Sequence, residues 1–312
     1  MSRRHLYWNK LRPLSAPLLT VLIFFLIFRK VPFHRFQQAL GDADYFRFFG
    51  CLLPFSVLYF ALDTVVLLAV MRWFHERARP IRYVELLPVR AVDYLVSVLN
   101  HKLSQGAMIV YLGRKLDEPL LKLTGTILFL DLLQRTHLVL WATVGMCLVV
   151  GAIPRVLFLI PVATLAGWSV LLLYMRAGRP PEWTLFHTFR VAPLKRYVQV
   201  LLLKAPLLLA AVAVHHFALP SFGIEVPFFR LLATLPIIFL VGALPVTVAH
   251  LGTTQAAWLY FHGAVADASL LLAYSLAAHL TFMLGNAVLG LVFLPRAYRE
   301  LFGEAKLKEV PA

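Results

Sequence analysis

Long apolar runs separated by short basic stretches set the pattern of this chain. No Asp, Glu, Lys or Arg lies between Arg12 and Arg29, Arg135 and Arg155, Arg155 and Arg176, Lys204 and Glu225, Arg230 and Asp267, or Asp267 and Arg296. A helix that crosses a bilayer needs about 20 mostly apolar residues, and four of these intervals reach that length. The pattern predicts spans at 14–28, 50–71, 120–151, 155–175, 198–217, 228–247 and 268–294. Segment 29–49 interleaves Phe33, Phe36, Phe46, Phe48 and Phe49 with basic residues and reads as an interfacial stretch.

Two segments break the pattern. Segment 84–116 has apolar arms, Val89–Leu99 and Ala107–Leu112, too short to span, with the polar run Asn100-His101-Lys102-Leu103-Ser104-Gln105-Gly106 between them. That is the pattern of a re-entrant hairpin, which is tolerated only where protein or a water-filled cavity surrounds it. A pair of amphipathic surface helices fits equally well. Segment 245–266 carries the polar break His250-Leu251-Gly252-Thr253-Thr254-Gln255 and then a short helix. The two breaks lie in corresponding places of two halves, a sequence pointer to a transporter-type site. The fold class expected is therefore an all-α polytopic membrane bundle, one transmembrane domain over 1–312, with two broken or re-entrant elements.

Composition sharpens this reading. Apolar residues make up 61% of the chain and charged residues 14%, against about 45–50% and 25% in soluble domains. An ordinary soluble enzyme is excluded. The 30 basic residues outnumber the 15 acidic ones, but they lie between apolar runs rather than on one compact face, so they do not point to nucleic acid. The N-terminus, loops 72–90 and 176–197 and the tail after Pro295 hold most of the surplus, which places them on the cytoplasmic side. Both termini are then cytoplasmic, the first span is uncleaved, and the location is the plasma membrane. Arg29, Lys30, Arg35 and Arg47 run against that rule, as residues resting on anionic headgroups would. Cys51 and Cys147 sit in apolar runs and read as packing residues. No phosphate-binding loop, His-Glu-x-x-His pair or nucleophile elbow occurs. No cofactor or metal is expected, and any ATPase would sit on another chain.

The second break reads Leu244-Pro245-Val246-Thr247-Val248-Ala249-His250-Leu251-Gly252-Thr253-Thr254-Gln255-Ala256-Ala257. This resembles the signature of the lysylphosphatidylglycerol synthase transmembrane family, flippase-like integral membrane proteins. Pro245, Thr247, Leu251, Gly252 and Ala256-Ala257 match the signature. Ala249-His250 replaces its glycine pair, and Thr253-Thr254-Gln255 replaces its Val-Arg-Glu. His279 and Gly290 keep the spacing of an Arg and a Gly in the family's last span. The helix around Asp131 and Arg135 is similar to its charged helix, and Asn100–Gly106 looks like a degenerate first hairpin. The resemblance covers about 50–295. It implies translocation of a polar or anionic-headgroup lipid between leaflets, with membrane lipids as partners. A second copy of the chain and a lipid-synthesis protein are the protein partners considered. A structural subunit of an envelope-lipid pathway and an intramembrane lipid-modifying transferase are the alternatives.

The candidate substrate-binding residues are Asn100, His101 and Lys102 in the first break, and His250, Thr253, Thr254 and Gln255 in the second. A helix start with small polar side chains and free amides can hold a phosphate. Thr253 or Thr254 acting as a simple helix cap is the plainer reading. Asp131 and Arg135, four apart, face one another on a helix, either as a groove wall or as a self-neutralising pair. His279 joins this set, with interhelical hydrogen bonding as its plainer role. Asp63 and Asn286 are secondary candidates. Asp63 needs a partner on another helix, and Arg135 and His279 are the ones considered. Lys204 is expected to snorkel from the end of its span.

Overall fold

The computed structural model describes residues 3–99, 101–149, 153–177, 185–244 and 246–308. Of residues 3–15, 99, 101, 102, 176, 248 and 301–308 it describes the backbone only. Among the described residues the regular structure is helical and no strand occurs. In chain order the helices are α1 (Arg3–Phe28), α2 (Phe33–Gly41), α3 (Tyr45–Phe74), α4 (Tyr83–Leu99), α5 (His101–Leu116), α6 (Leu120–Leu148), α7 (Leu159–Ala177), α8 (His187–Val191), α9 (Leu194–Ala218), α10 (Phe228–Gly242), α11 (Thr253–His262) and α12 (Ala268–Lys308).

Five stretches are long and apolar enough to cross a membrane: Tyr45–Phe74, Leu120–Leu148, Arg155–Met175, Leu194–Phe222 and Ala268–Glu300. A sixth arises if Ala16–Phe28 and Phe33–Gly41 count as one span, bent by 91°. Pro32 and the turn before it break that pair, and α2 turns Phe36 and Ala39 inward while Phe33 stays exposed. The segment expected to span at 228–247 is shorter than that. α10 ends at Gly242 after 15 residues, because the chain then enters a turn that helical backbone cannot follow.

Both short-helix segments form hairpins. The open ends of α4 and α5 lie together, with Lys115 Nζ 3.7 Å from Glu85 and Arg77 Nη1 donating to the Leu116 and Asp117 carbonyls at 3.2 and 2.6 Å. Leu67 and Met71 of α3, Leu86 and Val89 of α4, Leu112 of α5 and Leu123 of α6 bury one apolar cluster along that hairpin. Gly290 of α12 seats it from another side: a Cβ there would collide with Leu95 Cβ and stand 2.8 Å from the Ala91 carbonyl of α4. In the second hairpin the open ends are tied by Arg230 Nη2 to the Phe261 carbonyl at 3.2 Å and by Thr234 to His262 at 3.2 Å.

The chain clusters into two compact units, residues 1–52, 141–155 and 211–281, and residues 53–140, 156–210 and 282–312. In the first, Asp44 N–H donates to the Ser221 carbonyl at 2.8 Å, and the Phe48 and Phe222 rings lie 5.3 Å apart. In the second, Arg196 lies 4.3 Å above the Trp73 ring. Lys204 meets Asp63 in the same unit, so there α9 runs antiparallel to α3. In chain order, a long helix, a helical hairpin and a long helix occur twice, as α3–α4/α5–α6 and as α9–α10/α11–α12.

Candidate functional site

The second unit buries a charged cluster against the first hairpin. Asp63 is 6% exposed and sits about 5 Å past the middle of Tyr45–Phe74, at 1.5 Å per residue. Its Oδ1 accepts from Lys204 Nζ of α9 at 2.5 Å, and its Oδ2 from Arg90 Nη2 at 2.7 Å and Tyr94 Oη at 2.9 Å, both of α4. Arg90 also binds Asp93, whose carboxylate in turn accepts from Ser104 of α5. Arg90 further lies 5.0 Å over the Tyr94 ring. Two carboxylates thus face two cations, and the cluster is neutral. A charge at this depth of an apolar helix is tolerated when it is paired and hydrogen-bonded.

The sequence reading placed these partners differently. Asp63 does not pair with Arg135 or His279. Arg135 holds Asp131 on its own helix, with Nη2 to Oδ2 at 3.0 Å, and both side chains are partly exposed. His279 lies near the Ala249 backbone and His250. Lys204 does not snorkel away, because it faces Asp63 rather than the helix end. Arg90 belongs to α4 and not to the basic loop, since that helix already starts at Tyr83. The Arg90–Asp93 spacing, opposite charges one turn apart in an apolar stretch, was the signal that could have revealed the cluster.

In the first unit, the turn between α10 and α11 is strained. Ala249 and His250 have φ of 49° and 60°, and Gly252 has φ of 91°. Thr253 and Thr254 Oγ1 donate to the His250 carbonyl at 3.1 and 3.2 Å, and the Thr247 and Thr253 hydroxyls lie 3.2 Å apart. Gln255 is fully buried. Its Oε1 accepts the Gly252 N–H at 2.7 Å, while its Nε2 has no hydrogen-bond partner. The two threonines therefore tie the turn to itself, and the buried Gln255 amide leaves its donors unpaired. Pro245 lies outside the described residues.

Of the first-break candidates, Asn100 lies outside the described residues. His101 and Lys102 open α5, with their side chains outside the described set. Asn286 is 7% exposed and its Oδ1 has no partner. A cavity of about 600 Å³ in the first unit is lined by Arg35, Asp42, Asp44, Ser221, Asp267 and Ser269 among others. Two of its three carboxylates have structural duties there. Asp44 accepts the Arg47 N–H at 3.0 Å and Asp267 the Ser269 N–H at 2.7 Å, which caps the starts of α3 and α12.

Just beyond α3, His75 is buried. Its Nε2 meets Thr126 Oγ1 at 2.9 Å, Thr126 meets Thr188 Oγ1 at 2.7 Å, and its Nδ1 lies 3.8 Å from Glu118. Burial holds its pKa down to about 4 from an ordinary 6.5, against the opposing pull of Glu118. Between those values the unfolded chain binds more protons than the folded one. The stability from His75 is thus complete above about pH 6.5 and falls as pH drops toward 4. His75→Gln keeps a group for Thr126 and cannot titrate. Thermal melts from pH 7 to pH 4 are expected to show a smaller acid-induced fall in Tm for His75→Gln than for wild type.

No family model, curated protein or solved structure matches the chain.

Proposed function

We propose that the chain is a plasma-membrane protein that moves a polar- or anionic-headgroup lipid between leaflets without an ATPase of its own. The observation that carries this reading is the charged cluster of Asp63, Arg90, Asp93 and Lys204, built where a helical hairpin meets long apolar helices. Ionisable residues at such depth mark paths for polar cargo. A headgroup phosphate can take the place of a carboxylate beside Lys204 and Arg90, as both are acceptors for the same donors.

The arrangement of helices supports it. Counting the bent α1/α2 element as one crossing beside α3, α6, α7, α9 and α12 gives an even number, which is compatible with both termini on the cytoplasmic side. A long helix, a helical hairpin and a long helix recur twice along the chain, and repeats with broken helices are a transporter pattern. The amphipathic α2 would lie along the outer interface, which accounts for Arg35 there. α7 exposes Leu159, Val162, Leu165, Val170 and Leu173, a face suited to acyl chains. The resemblance of 244–257 to the flippase-like family points the same way.

Purified protein in vesicles with headgroup-labelled lipids tests this. With protein, an external quencher is expected to reach lipid from both leaflets. Quenching that stops at the outer leaflet for every headgroup overturns the proposal. The complete internal pairing of Asp63 favours a second reading, a scaffold subunit of an envelope-lipid pathway, and the latter outcome is the one it expects.

A further inference from the structure

The turn of the second hairpin holds donors that the charged cluster does not use. α11 begins at Thr253, and Ala256 N–H donates to the Gly252 carbonyl at 2.8 Å. The N–H groups of Thr253, Thr254 and Gln255 stand ahead of that bond, at the positive end of the helix. The Thr253 and Thr254 hydroxyls are occupied by the His250 carbonyl. Gln255 differs from them. It is 0% exposed, its Oε1 accepts the Gly252 N–H at 2.7 Å, and its Nε2 has no hydrogen-bond partner. Nε2 is bonded to the same carbon as Oε1, so the Gly252 bond fixes the Nε2 donors at the helix start as well. Burying an unpaired amide is costly. Set beside three helix-start N–H groups, it completes a ring of donors for one acceptor. Thr253 and Thr254 are partly exposed, which opens a way to that point.

We propose that the start of α11 binds a singly charged phosphate, that of a phosphodiester headgroup, with the Gln255 side-chain amide and the first-turn N–H groups as its donors. Charge sets the preference for a diester. No Asp, Glu, Lys or Arg occurs at 13–28, on the α1 stretch whose Ile23 and Phe24 cover Gly252, or at 231–266, along the hairpin itself. The donors are therefore uncharged amides, and the helix end adds about half a positive charge. Such a site matches one negative charge better than two. A phosphodiester carries one at neutral pH, whereas a terminal phosphate, with its second pKa near 6, carries closer to two. That the diester belongs to a lipid rests on the proposed translocase activity; the anion site does not.

Calorimetric titration of the full-length protein in neutral detergent tests the site with dioctanoyl phosphatidylglycerol, dioctanoylglycerol and inorganic phosphate. Wild type is expected to bind the phosphodiester lipid, to bind inorganic phosphate more weakly, and to ignore the diglyceride, which has the tails without the phosphate. Gln255→Glu keeps an acceptor for the Gly252 N–H, the usual role of Glu at this position of a helix start. It removes the donors and adds a negative charge. Its affinity for the phosphodiester lipid is expected to fall at least about tenfold, the scale of one charge-assisted hydrogen bond. Denaturant unfolding checks that the variant is folded. Gln255→Met removes the donors without adding charge and is read in the same way should the glutamate variant not fold. Undiminished binding in a folded variant, equal binding of the diglyceride, or tighter binding of inorganic phosphate overturns the proposal. The two failures separate. Gln255-dependent binding in a protein that moves no lipid in vesicles removes the translocase and supports the site. Lipid movement without Gln255-dependent binding removes the site.

Discussion

Asp63→Ala is expected to destabilise the protein by about 3–5 kcal/mol, the largest effect of any single truncation in the cluster. The carboxylate accepts from Lys204, Arg90 and Tyr94 together. Arg90 retains Asp93, but Lys204, 7% exposed, is left as a buried charge with no carboxylate. The cost comes from that uncompensated ammonium more than from the lost bonds. Removing both charges therefore behaves differently. The double variant Asp63→Leu with Lys204→Met replaces the pair by apolar groups of similar size, and such swaps are neutral or stabilising. Unfolding in detergent, followed by tryptophan fluorescence against denaturant, separates the two. A double variant as damaged as Asp63→Ala contradicts the electrostatic explanation.

Gly252→Val is expected to cost about 2–6 kcal/mol and to loosen the second hairpin. Two independent terms add. The backbone at φ 91° and ψ −53° is closed to a β-branched residue, and such strain costs about 1–3 kcal/mol. A Cβ would also stand 3.1 Å from Ile23 Cγ2 and 3.3 Å from Ile23 Cβ on α1, with overpacking of similar size. Ala249 and His250 already hold left-handed φ in the same turn, so little relaxation is left. Gly50→Ala is the control. That glycine lies inside α3 and its Cβ would meet nothing within 4 Å, so a gain of about 0.5–1 kcal/mol is expected from helix propensity. Thermal melts of both variants and wild type check the pair.

The long helices were legible in the sequence because apolar length without charge has few other uses. α3, α6, α7, α9 and α12 overlap the apolar stretches at 50–71, 120–151, 155–175, 198–217 and 268–294. The second break was legible for the same kind of reason, since His250 to Gln255 interrupts an apolar run too long for one helix. Its geometry was not, because nothing in the sequence shows that Ala249 and His250 take positive φ. The span expected at 228–247 failed on that point: the turn claims Ala243 and Leu244, and α10 stops at Gly242. Asp63 was noticed, but its partners were not. Sequence gives the depth of Lys204 in α9 and hides the face it presents. Arg90 was masked by its neighbours, since five arginines between positions 72 and 90 read as one basic loop. Only the fold shows that the last of them has entered a helix beside Asp63.

The central claim is that the charged cluster handles lipid headgroups and does not merely hold helices together. Wild type and the Asp63→Leu/Lys204→Met double variant, both shown to be folded by denaturant unfolding, are reconstituted in the same vesicles. Movement of an anionic headgroup-labelled lipid between leaflets is then followed. The account predicts rapid movement with wild type and the protein-free rate with the folded double variant. Equal rates in the two would contradict it, and would leave the cluster as a packing device.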